Sequence, residues 1–208
     1  MTRVIETLAD VAEGTAWLCR VEPRFALVQQ ATGPWPLRRQ PDGFEALLDA
    51  IIGQQVSTAA ARAIAARMRA AGFFDEAAVA AADEAALRAA GLSRPKARHA
   101  LALARARVDW SALRHLPDDR VIARLVALPG IGVWTAEIYA MFALGRPDVL
   151  AAGDLALREA ARALFDLPAR PSDRELRALA QNWSPWRAVA ARGLWAYYRS
   201  LKSREGVR

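Results

Sequence analysis

Between two stretches of helical apolar spacing lies Leu128-Pro129-Gly130-Ile131-Gly132, the segment whose chemistry is easiest to read from residue type. Two glycines one residue apart, Gly130 and Gly132, leave backbone N–H groups exposed at the start of the next helix. There the aligned peptide dipoles favour an anion, with phosphate the natural occupant. The same residues also suit an ordinary turn between helices, with glycine supplying positive φ. Asp154 is the second candidate. It opens a helix, so it is either a plain N-cap or a carboxylate whose anionic form the helix start favours and which stabilises positive charge or activates water. Trp134 and Trp195 offer electron-rich faces to a cationic ring, or they are core aromatics.

The remaining residue types exclude several chemistries. Cys19 is the only cysteine, and His99 and His115 are the only histidines. An internal disulfide, a Cys-ligated zinc and an iron–sulfur centre therefore cannot be built, and a transition-metal site is not expected. Lysine occurs only at 96 and 202, away from the hairpin. The net charge of +7 points to a polyanionic partner, the alternative being an Arg-rich solvated surface. No apolar run approaches the roughly twenty residues of a membrane span, and residues 1–10 lack the plan of a signal peptide. The expectation is a chain without a membrane, in a reduced intracellular compartment.

The elements that must position these groups are helical. Alanine clusters at 59–61 and 80–82, with few β-branched runs, predict an all-α fold. Periodicity predicts helices over 5–20 and from Glu22-Pro23 to about Ala31. The loop Thr32 to Pro41, with Gly33, Pro34, Pro36 and Pro41, is the expected crossing between lobes. Asp42 is expected to cap a helix striped by Phe44, Leu47, Leu48, Ile51, Ile52 and Val56. Ser57 then caps a helix to about Ala71, Asp75 and Asp83 start two short ones, Ser93 opens one to about Arg107, and Asp118 or Asp119 caps one through Ala127. Beyond the hairpin the pattern predicts helices over about 133–144, from Asp154 to about Phe165, over 173–181 and over 185–202, with a loop at 145–153.

Three segments together carry a resemblance. Leu128-Pro129-Gly130-Ile131-Gly132-Val133-Trp134-Thr135-Ala136 is followed by Asp154 twenty residues after Trp134; Ile52-Gly53-Gln54-Gln55-Val56-Ser57 precedes it, and Trp183-Ser184-Pro185-Trp186-Arg187 with Trp195 comes after. In this order they resemble the helix-hairpin-helix DNA glycosylases, most of all the bacterial alkylpurine branch, 3-methyladenine DNA glycosylase II, over roughly residues 42–202. The resemblance implies an all-α, two-lobed fold. Residues 1–41 and 151–208 would form a terminal lobe. A central six-helix lobe, 42–150, would carry the motif at about 119–145. No N-terminal β domain is expected, and the active site would lie in the cleft.

The resemblance also implies an activity: extrusion of an alkylated purine, of the 3-methyladenine or 7-methylguanine type, from duplex DNA and hydrolysis of its N-glycosidic bond by Asp154. Trp134 and Trp195 would form the base pocket. Gly130, Gly132, Thr135 and Arg187 would contact DNA, and Gln55 would wedge into the gap left by the base or stand exposed. Arg94 and Lys96 fall in a stretch the family makes basic. Backbone carbonyls of Val126, Leu128 and Ile131 would hold Na+ or K+, with no other cofactor required. Members that also cut the strand place a Lys where this chain has Trp134, so hydrolysis without lyase chemistry is expected. Ile138 and Leu155 replace tyrosines of close relatives, which leaves hypoxanthine, uracil or an oxidised base as alternative substrates. A non-enzymatic DNA-binding module of the same motif is the third reading. The expected partner is double-stranded DNA with damaged bases, met by a monomer in the bacterial cytoplasm.

Overall fold

The computed structural model describes residues 3–205, and no strand occurs among the described residues. The ends of the expected terminal lobe, 1–2 and 206–208, lie outside that range. In chain order the helices are α1 (Leu8–Val21), α2 (Arg24–Thr32), α3 (Phe44–Gly53), α4 (Thr58–Ala70), α5 (Glu76–Ala81), α6 (Glu84–Ala89) and α7 (Arg94–Arg105). They continue with α8 (Trp110–Leu113), α9 (Asp118–Val126), α10 (Val133–Phe142), α11 (Leu155–Leu164), α12 (Asp173–Leu179) and, after a 3₁₀ turn at Ala180–Trp183, α13 (Arg187–Glu205).

The chain divides into two compact units. One comprises the described residues up to Arg39 and from Ala140 onward; the other is Gln40–Tyr139. The second division thus falls inside α10, earlier than the 150/151 position expected from the loop at 145–153. Hydrogen bonds explain the shift: Ile5 N–H donates to the Gly145 carbonyl at 2.8 Å, and the Arg39 guanidinium donates to the carbonyls of Phe142 and Ala143. These bonds attach residues 140–150 to the chain's first segment.

Side-chain caps set most helix starts. The hydroxyl of Thr7 accepts from Asp10 N–H while Asp10 accepts from Thr7 N–H, closing a capping box on α1. Ser57, Asp75, Asp83 and Asp109 accept from the N–H three residues on at α4, α5, α6 and α8, and Ser172 with Glu175 closes a second box on α12. Two expected caps fail. Asp42 turns away to pair with Arg114 at 2.7 Å, and Gly43, at φ +108, precedes α3 instead. Asp118 and Asp119 lie in the first turn of α9 behind Pro117, where they act on the helix dipole. α3 also stops at Gly53, because Gln54 is extended and Gln55 sits at φ +54, so Val56 leaves the apolar stripe and stands exposed.

In the first unit α13 packs on α1, α2 and α11. Trp183 lies edge-on to Phe25 at 5.2 Å and stacks on Phe165 at 5.8 Å. Close approach here depends on two glycines: a β carbon at Gly14 would lie 2.7 Å from Trp186, and one at Gly193 would lie 2.6 Å from Trp35. In the second unit α3 and α7 form the centre, with α4 on α3 and with α5 and α6 on α7. Leu47, Leu48, Ile51 and Ile52 on α3 and the small Ala97, Ala100 and Ala104 on α7 are all buried as these two helices pack together. Each such large apolar side chain contributes roughly 1.5–3 kcal/mol.

Candidate active site

In the first unit Asp154 is the N-cap of α11. Its Oδ1 accepts from Leu157 N–H at 3.1 Å and from the indole Nε1–H of Trp195 at 3.0 Å. Two donors converging on one oxygen fix the half-buried carboxylate in one orientation. Trp195 lies one helix away in the fold and forty-one residues away in the chain. Its ring is in turn supported by Phe142, 5.6 Å between centroids and inclined by 37°. Beneath Phe142 the buried Arg192 guanidinium lies 4.9 Å from the ring centre and donates to the carbonyls of Leu37 and Ala188. Burial, with the Arg38 and Arg39 charges adding to it, pulls the Arg192 guanidinium down to about 10. The arrangement is a stiff aromatic wall with a carboxylate at its edge.

The second unit holds the hairpin. Ile131 N–H donates to the Leu128 carbonyl at 3.1 Å, and Gly130 turns at φ +84. A β carbon at Gly130 would overlap the His99 ring at 2.4 Å, so this glycine is required twice over. The Gln54 amide donates to the Gly130 carbonyl at 2.9 Å and pins the turn to the end of α3. Gly132 differs. It is exposed, its φ is not positive, and a β carbon there would meet nothing within 4 Å. It stands where the first turn of α10 directs its N–H groups outward, an arrangement suited to an anion.

Trp134, 45% exposed on that first turn, lines a cavity of about 290 Å³ with Leu47, Ala50, Gly53, Gln54 and Ile138. This is near the lower bound of about 300 Å³ for small-molecule sites. Asp49 stands at the cavity, paired with Arg69 at 3.2 Å, and burial raises its carboxyl above the ordinary value. Tyr139 closes another side; burial pushes its phenol up to about 12, and its oxygen accepts from Gly43 N–H.

The structure brings Asp154 and Trp195 into contact in one unit and Trp134, Gln54 and the hairpin together in the other. Other expected site residues are placed differently. Thr135 is buried, so what it offers outward is its backbone. Arg187 is committed internally, to Asp148 at 3.0 Å and the Ala180 carbonyl at 3.0 Å. Gln55 is exposed in the left-handed region, and Leu155 is exposed at the start of α11. Arg94 pairs with Glu84, whereas Lys96 is buried and donates to the Ile52 carbonyl at 2.7 Å. Gln54 and Phe142 were not anticipated. The adjacent Gln54-Gln55 pair was the available signal for the first; nothing local marks the second.

A helical chain with a glycine-turned hairpin and a cap carboxylate braced by an indole defines the helix-hairpin-helix class. The HhH-GPD superfamily of base excision DNA repair proteins matches residues 48–185, more than half of the chain, and the chain belongs to that superfamily. A Mycobacterium tuberculosis protein named "Probable bifunctional transcriptional activator/DNA repair enzyme AlkA" is 37% identical over 183 residues, 82% of this chain and 36% of that protein. The chain thus spans about a third of the length of the curated relatives it matches first. A DNA-3-methyladenine glycosidase from Bacillus halodurans superposes with a TM-score of 0.80 at 30% identity, covering 89% of both chains. A Schizosaccharomyces pombe 3-methyladenine DNA glycosylase in complex with abasic DNA gives 0.75 at 28% identity, covering 88% of this chain and 95% of that one. No helix among the described residues is long and apolar enough to cross a membrane.

Proposed function

We propose that this chain is a monofunctional DNA glycosylase, one that extrudes alkylated purines from duplex DNA and hydrolyses the N-glycosidic bond. The observation that carries the reading is the 3.0 Å hydrogen bond from the Trp195 indole to the Asp154 carboxylate. It puts a ring face suited to stacking a flat base beside an anion suited to the sugar that base leaves. An N-alkylated purine is cationic and departs without a strong acid. Asp154 then stabilises positive character at the sugar carbon and orients or deprotonates the attacking water. A cationic base against an indole gains roughly 0.5–2 kcal/mol over a neutral one.

The hairpin amides hold a backbone phosphate through the outward N–H groups of α10. The carbonyls of Val126, Leu128 and Ile131 would hold Na+ or K+; the fit rests on their being hard oxygen donors, Val126 at the negative end of α9 and the other two in the turn that follows it. Strand cleavage through an imine would need a lysine at the hairpin, where position 134 is Trp; Lys96 is sealed against Ile52 and Lys202 stands near the end of α13. Incubation with methylated duplex DNA tests the reading. Free 3-methyladenine or 7-methylguanine should be released, leaving an unbroken abasic strand and no borohydride-trapped adduct. A chain that binds duplex but releases no base from alkylated DNA or from a panel of single lesions is a binding module instead.

A further inference from the structure

Four arginines gather in the first unit around Trp195, and they divide into two kinds. Arg39 donates to the carbonyls of Phe142 and Ala143, and the buried Arg192 donates to those of Leu37 and Ala188. Arg192 is spent within the fold through all three of its nitrogens, whereas Arg39 is tied to it through one. Arg38 and Arg199 both reach solvent, Arg38 with its guanidinium partly covered, and neither pairs with a carboxylate among the described residues. Arg38 sits at φ +52, in the left-handed region that residues with a β carbon uncommonly occupy, held there by the bonds of Arg192 to the preceding carbonyl. Its guanidinium lies over the Trp195 ring, 5.8 Å from the centroid. Arg199 follows Trp195 by four residues on α13, so both project from one helix face.

Two guanidinium charges held beside one indole, neither paired to a carboxylate, repel each other, and a bound anion relieves that repulsion. The Arg38 guanidinium is already drawn below its ordinary value, by burial and by the charge of Arg199. We infer that Arg38 and Arg199 form a two-guanidinium clamp for one DNA backbone phosphate, the one flanking the nucleotide whose base lies on Trp195. It is a second phosphate site, made of side chains, in the unit that lacks the hairpin. Guanidinium forks suit it because they grip phosphate oxygens two at a time. The inference rests on the proposed DNA substrate, but its readout is binding and not base release.

Equilibrium binding of the full chain to a duplex with one uncleavable abasic analogue, over a range of salt, tests it. Arg38→Ala and Arg199→Ala should each weaken binding about tenfold, and more on this duplex than on an undamaged one. The double variant should lower the log–log salt slope by about one phosphate's worth, roughly 0.9, because both residues address one phosphate. Arg38→Gly should lose affinity equally while relieving the positive φ, so a misfolded variant cannot account for the loss. Replacing the flanking phosphate with a methylphosphonate should abolish the difference between the parent and Arg38→Gly. Unchanged affinity and slope in the Arg38 variants overturn the clamp even if base release proceeds. A parent that binds and responds as stated but releases no base retains the clamp and removes the glycosylase reading. A parent that does not bind the abasic duplex removes both.

Discussion

The two units present chemistry made of different material. In Gln40–Tyr139 the candidate anion site is backbone: its shape comes from the turn at Gly130, and the Gln54 bond that pins it also ends on a main-chain atom. In the other unit the candidate catalytic group is side chain throughout, with an indole holding a carboxylate and a phenyl ring holding the indole. The difference sets what each tolerates. A backbone site survives most side-chain changes and fails where the chain can no longer turn. A side-chain site keeps its fold through small substitutions and fails when a single atom changes.

Breaking the side-chain site gives the largest effect. Asp154→Asn should cut single-turnover base release by at least about 10³-fold, since a neutral amide can neither stabilise the sugar cation nor take a proton from water. Asn and Asp are comparable N-caps, so melting temperature and affinity for an abasic-analogue duplex should hold. Release within about tenfold of the parent would reduce Asp154 to a cap.

Breaking the backbone site should appear first as lost stability. Gly130→Ala combines a positive φ with overlap of the His99 ring and should cost roughly 2–4 kcal/mol in chemical denaturation. Gly132→Ala should cost under about 1 kcal/mol, because its β carbon enters open space, and should weaken duplex binding instead. Equal stability losses at the two glycines would erase the distinction drawn between them.

The finest cut lies within the side-chain site. Trp195→Phe keeps a smaller ring against Phe142 and removes the N–H donated to Asp154 together with the rest of the pyrrole ring, so release should fall at least about tenfold, the loss of one hydrogen bond to a charged group. Trp195→Ala should add a loss that is greater for cationic bases than for neutral ones. Full activity in the Phe variant would mean that stacking alone matters and that the carboxylate needs no brace.

The same contrast explains what was legible in the sequence. The hairpin is local: Pro129, Gly130 and Gly132 state the turn within a few residues, and the helices on either side follow from apolar spacing. Asp154 was legible as a helix start, yet its partner stands forty-one residues on, and only the resemblance joined them. For Arg187 the sequence left phosphate contact and surface solvation open, because a guanidinium looks the same in either setting; its bond to Asp148 is the structure's addition. Nothing adjacent to Lys96 records that its amine ends on Ile52, where burial lowers its affinity for a proton. The short α8 escaped periodicity because four residues are fewer than two turns. Asp42 failed as a cap because Arg114, far along the chain, competes for it.

The contacts of Gly14 with Trp186 and of Gly193 with Trp35 carry a consequence for descent. Neither glycine can acquire even a methyl group while the facing indole remains, so each pair is passed on whole or altered together. Among chains of this lineage, a larger residue at 193 should arrive only with a smaller one at 35, and a larger one at 14 only with smaller ones at both 186 and 189. A survey of descendants that found either position drifting alone would show that α13 had moved away from its neighbours in those chains.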